Sequence, residues 1–302
     1  MLGASGQGAK HGVAGAEAGG ELTMRGLILA MLLLSGCTAG AQSPPALEPG
    51  DMMIPGPEGV ALRARLLPVE AGRRGVAVLA FHGCGGLGGP ERALRLGARE
   101  RDWAERLNAA GHPVLFVDSF ASRGRTEACQ GGSRGIEAET IRRADAHAAA
   151  TWASAQPWAA PGGVVLLGWS HGGSTVLAAA AGAPPGVIRG VVGFYPGCWR
   201  LRQGGEWQPA VPVLMLLGAA DDWTPARNCL VLAARDAARV RVESFPGAHH
   251  GFDAPSGEVR QLTGLASTGR GGGVATIGPN PAAREAVRVM VPAFIAGLPP
   301  AR

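Results

Sequence analysis

From residue 60 onward the chain is punctuated by short apolar runs: VALRARLLP (60–68), VAVLAF (76–81), PVLFVD (113–118), VVLLGW (164–169), VVGFYP (191–196), PVLMLLG (212–218) and VRVESF (240–245). Most are continuously apolar rather than alternating, which predicts strands buried on both faces. Stretches near 91–110, 136–156, 173–182, 226–238 and 283–297 read as helices between them. Strands alternating with helices predict an α/β fold, a mostly parallel central sheet with helices on both faces. In such sheets the site gathers at the carboxyl ends of the strands, so the loops there are the place to look for chemistry.

One of those loops carries Gly168-Trp169-Ser170-His171-Gly172, a Gly-x-Ser-x-Gly match, and GGSRG at 131–135 is a second. The bare pattern is weak in a chain with 49 glycines among 302 residues. The chemistry needs a strand ending at the first Gly and a helix starting just after the Ser, so that a sharp turn presents Oγ above the sheet. Only Ser170 has that context; Ser133 lies among Gly, Arg, Thr and Gln and reads as a plain loop serine.

A nucleophilic serine needs a base to take its proton and an acid to hold the base's tautomer. In α/β-hydrolases these follow in the order Ser, Asp or Glu, then His, each on a loop after a strand. Asp221-Asp222 follows the run at 212–218, and His249-His250 follows the run at 240–245, in the required places and order. The remaining histidines fit worse. His11 lies in the leader, His147 in a helix and His112 before a strand, while His82 and His171 flank backbone groups with another task. A tetrahedral intermediate needs N–H donors aimed at its oxyanion; these are expected from His171, just after the nucleophile, and from Cys84 in the Gly-rich loop His82-Gly83-Cys84-Gly85-Gly86.

Composition removes other chemistries. The net charge of +5 is almost wholly arginine, with no basic run, which argues against nucleic-acid binding. Lys10 is the only lysine, so a Schiff-base, Walker or Ser-Lys mechanism has no other candidate. No His-Glu-x-x-His, Cys-x-x-Cys or dinucleotide fingerprint is present, so no metal and no organic cofactor are expected.

The first 23 residues are low-complexity, and Met24-Arg25 then opens an apolar run ending Leu34-Ser35-Gly36-Cys37. This looks like a bacterial lipoprotein signal peptide with its lipobox, with the true start at Met24 and Cys37 carrying the lipid. The run is short of the roughly 20 apolar residues that span a bilayer. Residues 1–36 are therefore expected to be leader and signal, 37–57 a flexible tether, and 58–298 the folded domain, held at the cell envelope by its N-terminal lipid. Export makes disulfides plausible for the other cysteines. Cys198 is paired with Cys229, because each follows a neighbouring strand on one sheet edge, and Cys84 with Cys129 by the same reasoning.

The motifs FHGCGG, VDSF, GWSHGG, FYPG, GAADDWTP and PGAHHGFD together resemble the dienelactone hydrolase family of α/β-hydrolases, over about residues 58–298. The resemblance selects Asp221 over Asp222 as the acid and His250 over His249 as the base. It implies acyl transfer to water through an acyl-serine, on a small ester or lactone. The founding enzymes carry Cys as nucleophile and Glu in the first donor loop, where this chain has Ser170 and glycines, so the likeness implies a reaction class rather than dienelactone as substrate. A peptidase or polyester hydrolase with the same triad is an alternative, and a non-catalytic envelope binding protein is another.

Only about 15 residues separate FYPG from the next strand, too few for a large helical cap, so an open site is expected. Trp169, Tyr195, Trp199 and Trp223 are candidates to line it. Residues 255–280 are expected to be a disordered insertion or, alternatively, a flap over the site.

Overall fold

The computed structural model describes residues 49–70, 75–269 and 271–301. The proposed start at Met24, the lipobox, Cys37, His11 and Lys10 lie outside the described residues.

Eight strands form the main sheet: β1 (Asp51–Pro55), β2 (Ala61–Leu67), β3 (Val78–Phe81), β4 (Val114–Asp118), β5 (Val164–Trp169), β6 (Ile188–Phe194), β7 (Val213–Gly218) and β8 (Val240–Phe245). Their spatial order is β1-β2-β4-β3-β5-β6-β7-β8. β1 and β2 are antiparallel and so are β2 and β4, whereas every pair from β4 to β8 is parallel. The expected mostly parallel sheet is present.

The period of two along each strand divides the core into two layers. Leu79, Leu115, Leu166, Val191 and Met215 point to one face, where they meet α2 (Ile141–Ser154), α3 (His171–Ala180) and α5 (Ala226–Ala233). Ala80, Phe116, Leu167, Val192 and Leu214 point to the other, against α1 (Ala98–Ala109) and α6 (Pro281–Gly297). Covering both faces explains why these strands are apolar throughout. Among the described residues no helix is long and apolar enough to cross a membrane.

Several expectations need correction. The folded unit begins upstream of residue 58, because β1 adds an edge strand where a tether was expected. The inward face of that strand is only Ile54, buried, and Met52, half-buried beside it, a pattern too short to stand out. α1 starts later than expected, at Ala98, and the short α4 (Trp199–Gln203), too short to leave a helical period, is the only helix between β6 and β7. No cap domain stands there.

Residues 255–280 are not a disordered insertion. They form a hairpin of β9 (Arg260–Leu262) and β10 (Ala275–Ile277). It is tied to the body by Thr276 N–H to Asp222 Oδ1 at 2.7 Å, Gly269 N–H to the Asp222 carbonyl at 3.1 Å, Ala266 N–H to the Cys129 carbonyl at 2.8 Å and Gly278 N–H to the His250 carbonyl at 3.0 Å. Residues 266–269 of this segment line the cleft that Ser170 also lines.

Both disulfide pairings are present. Cys84–Cys129 has its Cα atoms 4.9 Å apart and Cys198–Cys229 5.1 Å.

Candidate active site

Ser170 sits between β5 and α3 with φ 54° and ψ −115°. A non-glycine residue in that region costs about 1–3 kcal/mol, and it persists only where its surroundings fix it. Here the Ser170 N–H donates to the Phe194 carbonyl at 2.9 Å and its own carbonyl accepts from Ser174 N–H at 2.9 Å. Two glycines make the turn possible. A Cβ on Gly168 would lie 2.2 Å from the Gly172 carbonyl oxygen, and one on Gly172 would lie 2.0 Å from that of Phe81. Ser133 has no such elbow; it also lines the cleft described below, from an ordinary turn whose carbonyl accepts from Ile136.

Asp221 and His250 are joined. His250 Nδ1 lies 2.8 Å from Asp221 Oδ2. The carboxylate also accepts from the N–H groups of Trp223 and Thr224, both at 2.8 Å, and from Thr224 Oγ1 at 2.9 Å. Burial alone would push the Asp221 carboxyl up, but the His250 charge and hydrogen bond, with the Thr224 donors, hold it below the usual carboxylate range. An ionised Asp221 fixes the proton of His250 on Nδ1 and leaves the lone pair on Nε2. The adjacent candidates do other work: Asp222 holds the hairpin, with Thr276 Oγ1 also on its Oδ2 at 3.1 Å, and His249 Nδ1 meets the Ala220 carbonyl at 3.0 Å.

The nucleophile candidate and this pair stand at one sheet edge, separated by the end of β6. Phe194 receives the Ser170 amide, and the next residue, Tyr195, lays its ring 4.5 Å from that of His250. Among the described residues Ser170 Oγ makes no hydrogen bond, so the serine–histidine contact is not closed in this geometry. The loop after β3 passes against the serine, since a Cβ on Gly83 would lie 3.5 Å from Ser170 Cβ. Cys84 and His171 line the same cleft as Ser170. The His171 amide opens α3, where an N–H has no partner within the helix.

The cleft has a volume of about 650 Å³. Trp199 and Trp223 line it, as expected, and Ala266–Gly269 of the hairpin close one side. Trp169 and Tyr195 do not. Their Nε1 and Oη donate to Asp253 at 2.9 and 2.7 Å, in the core, together with Trp103 Nε1 at 2.8 Å. Asp253, the last residue of PGAHHGFD, ties the segment after His250 to three indole and phenol groups, a polar need that only the buried positions of those rings signal.

The other histidines also find their places. His112 Nδ1 meets the Val76 carbonyl, His147 Nε2 the Ala179 carbonyl, and His82 is buried beside Asp118. His171 Nδ1 lies 2.7 Å from Arg142 Nη1. Among the described residues no group of three His, Cys, Asp or Glu side chains converges as a metal site.

Comparison with known proteins agrees with this architecture. The chain is 29% identical over 219 residues, 66% of its length and 72% of the relative's, to an uncharacterized protein of Mycobacterium tuberculosis strain H37Rv. The structure resembles a putative dienelactone hydrolase of Klebsiella pneumoniae subsp. pneumoniae MGH 78578, with TM-score 0.60, 17% identity, and coverage of 82% of this chain and 98% of that one. It is also similar to a dienelactone hydrolase-like promiscuous phosphotriesterase from metagenomic libraries, with TM-score 0.62, 20% identity and the same coverage. These likenesses carry the α/β-hydrolase fold. Residues 69–291 match the dienelactone hydrolase family, and with that match over most of the folded unit the chain belongs to this family of hydrolases.

Proposed function

We propose that the chain is a serine hydrolase of carboxylic esters or lactones, working through an acyl-serine with Ser170, His250 and Asp221. Ser170 Oγ attacks the carbonyl carbon while His250 Nε2 removes its proton, and the carbonyl π electrons move onto oxygen, where the amides of Cys84 and His171 receive the charge. Collapse breaks the bond to the leaving oxygen, which takes the proton back from His250. With a lactone the same step opens the ring and leaves a hydroxyl on the acyl chain. Water then repeats the sequence, releasing the acid and restoring Ser170.

The observation that carries this reading is the Asp221–His250 pair, 2.8 Å between Oδ2 and Nδ1, at the same sheet edge as the strained turn of Ser170. The open serine–histidine contact is compatible with it, because catalytic hydrogen bonds often tighten only around substrate. Hydrolysis of p-nitrophenyl esters with short and long acyl chains tests it. Ser170→Ala is expected to lose at least about 10³-fold in turnover and Ser133→Ala to retain it; a wild type inactive on every ester contradicts the reading.

From the sequence Leu34-Ser35-Gly36-Cys37 we further infer an N-terminal lipid on Cys37 and a place at the bacterial cell envelope. Cys37→Ala is expected to move the protein from the membrane to the soluble fraction, and unchanged membrane association contradicts the anchor.

A further inference from the structure

Arg142, on the face of α2 that meets the core, is completely buried, yet no carboxylate hydrogen-bonds to it. Asp145, almost one turn on, gives both oxygens to Arg123, at 2.7 and 2.9 Å. Among the described residues Arg142 Nε and Nη2 have no partner. Its guanidinium lies over the Phe120 ring, 5.0 Å from the centroid, and its one hydrogen-bond partner is His171 Nδ1. Asp145 and Asp118 attract Arg142 through space without a hydrogen bond, and burying a guanidinium with most of its donors unmatched is costly. What it does to His171 gives that cost a use.

A guanidinium has donors and no acceptor. Burial lowers Arg142 only to about 10, so it stays charged at neutral pH. His171 Nδ1 must therefore be the acceptor and the ring proton must sit on Nε2; a proton on Nδ1 would set two N–H groups head to head. Burial, Arg142, His82 and Arg200 all hold the imidazole well below the usual histidine range. The ring is neutral, in one tautomer, and has no lone pair left to act as a base. It lines the cleft beside Ser170, and among the described residues Nε2–H meets no acceptor.

We propose that the His171 side chain is a fixed, uncharged hydrogen-bond donor that selects esters and lactones carrying a second acceptor oxygen close to the scissile carbonyl. This rests on Ser170 acting as the nucleophile. Arg142 is the positioning residue, acting through His171. The oxygen selected is an ether, hydroxyl or carbonyl group, because a donor facing an all-carbon chain gives up its hydrogen bond to water without return.

The test compares p-nitrophenyl methoxyacetate with p-nitrophenyl butyrate, acyl groups of equal length that differ by one oxygen for one methylene. The ratio of their kcat/KM values is divided by the ratio of their hydroxide rates, which removes the intrinsic effect of the oxygen. In the wild type this corrected ratio is expected to exceed one by roughly 3- to 10-fold, the worth of one net hydrogen bond. His171→Leu should return it to one, His171→Gln should keep part of it through its amide N–H, and Arg142→Met should lower it by freeing the tautomer. A wild-type ratio of one, or an excess that survives His171→Leu, overturns the proposal, and the wild-type ratio decides even where a variant fails to fold. Turnover that survives Ser170→Ala removes the underlying function instead, so the two failures are distinguishable.

Discussion

Two buried histidine–aspartate pairs stand on either side of Ser170. His250 and Asp221, beyond β7 and β8, meet at 2.8 Å through Nδ1; His82 and Asp118, beyond β3 and β4, lie 3.6 Å apart through Nε2. Each histidine follows the carboxyl end of a parallel strand and each acid ends or follows another, so position does not separate them. Their neighbours do. Asp118 accepts from Arg63 Nε and Nη2, at 3.2 and 2.6 Å, and from the N–H groups of Phe120 and Ala121. Its charge is already matched by a guanidinium. Asp221 has only neutral donors besides His250, so its charge remains to steady an imidazolium.

The histidines differ in the same sense. His82 Nδ1 meets the Gly83 carbonyl at 2.7 Å, and burial with the Arg142 charge pushes the ring below its usual range, against the pull of Asp118. Its Nδ1 contact with the next residue braces the loop that carries Cys84. His250 has the rings of Tyr195 and Trp223 4.5 and 4.7 Å away, with Nδ1 committed to Asp221. The proposed base is the histidine whose acid is shared with no cation.

The sharpest way to break this comparison is to cut both pairs alike. His250→Asn is expected to lower kcat by about 10³-fold or more, and His82→Asn by less than about tenfold, with its effect appearing in the thermal midpoint. Equal losses of kcat would erase the distinction. Within the first pair, Asp221→Asn should cost about 10²–10⁴-fold in kcat by releasing the tautomer of His250. Asp222→Asn should act on KM, because it loosens the hairpin; a large loss of kcat there would exchange the roles of the two acids.

The disulfide on each side of the serine is expected to contribute to stability. Replacing Cys84 and Cys129 together, or Cys198 and Cys229 together, by Ala should lower unfolding free energy by about 4 kcal/mol for closed loops of this length. Thiol titration of the unfolded, unreduced protein should find almost none of these four cysteines free.

The smallest effect is in pH. Asp118 is lowered from 3.8 to about 2: burial pushes it up, and His82 with Arg63 more than reverse that. Its folded value lies below its unfolded one, so its stabilisation, about 2 kcal/mol, is complete above about pH 4 and is lost as pH falls toward 2. Asp118→Asn should flatten chemical-denaturation stability in that window, and an unchanged slope would mean Asp118 is not the group responsible.

Much of this arrangement was legible because the strands are apolar on both faces and the chain order Ser170, Asp221, His250 matches their sheet ends. What escaped depends on contacts distant in sequence. β1 is an edge strand whose inward face is only Met52 and Ile54, with Met53 half-exposed between them, too short an alternation to stand out in DMMIP. The hairpin at 260–277 is held by the Asp222 carboxylate and by the backbone carbonyls of Asp222 and Cys129, contacts that leave no periodic trace. Trp169 and Tyr195 look like pocket residues until the buried acceptor Asp253 is placed among them. Arg142 and Asp145 share the buried stripe of α2 with Ala146 and Ala149, but charged residues at that spacing read as a solvated face.

Covalent labelling tests the central claim most directly. After treatment with a fluorophosphonate, intact-mass measurement and peptide mapping should find one adduct, on the peptide containing Ser170, absent from Ser170→Ala and slow to form in His250→Asn. An adduct that persists in Ser170→Ala, or a wild type that takes no label, would contradict the assignment of Ser170 as the nucleophile.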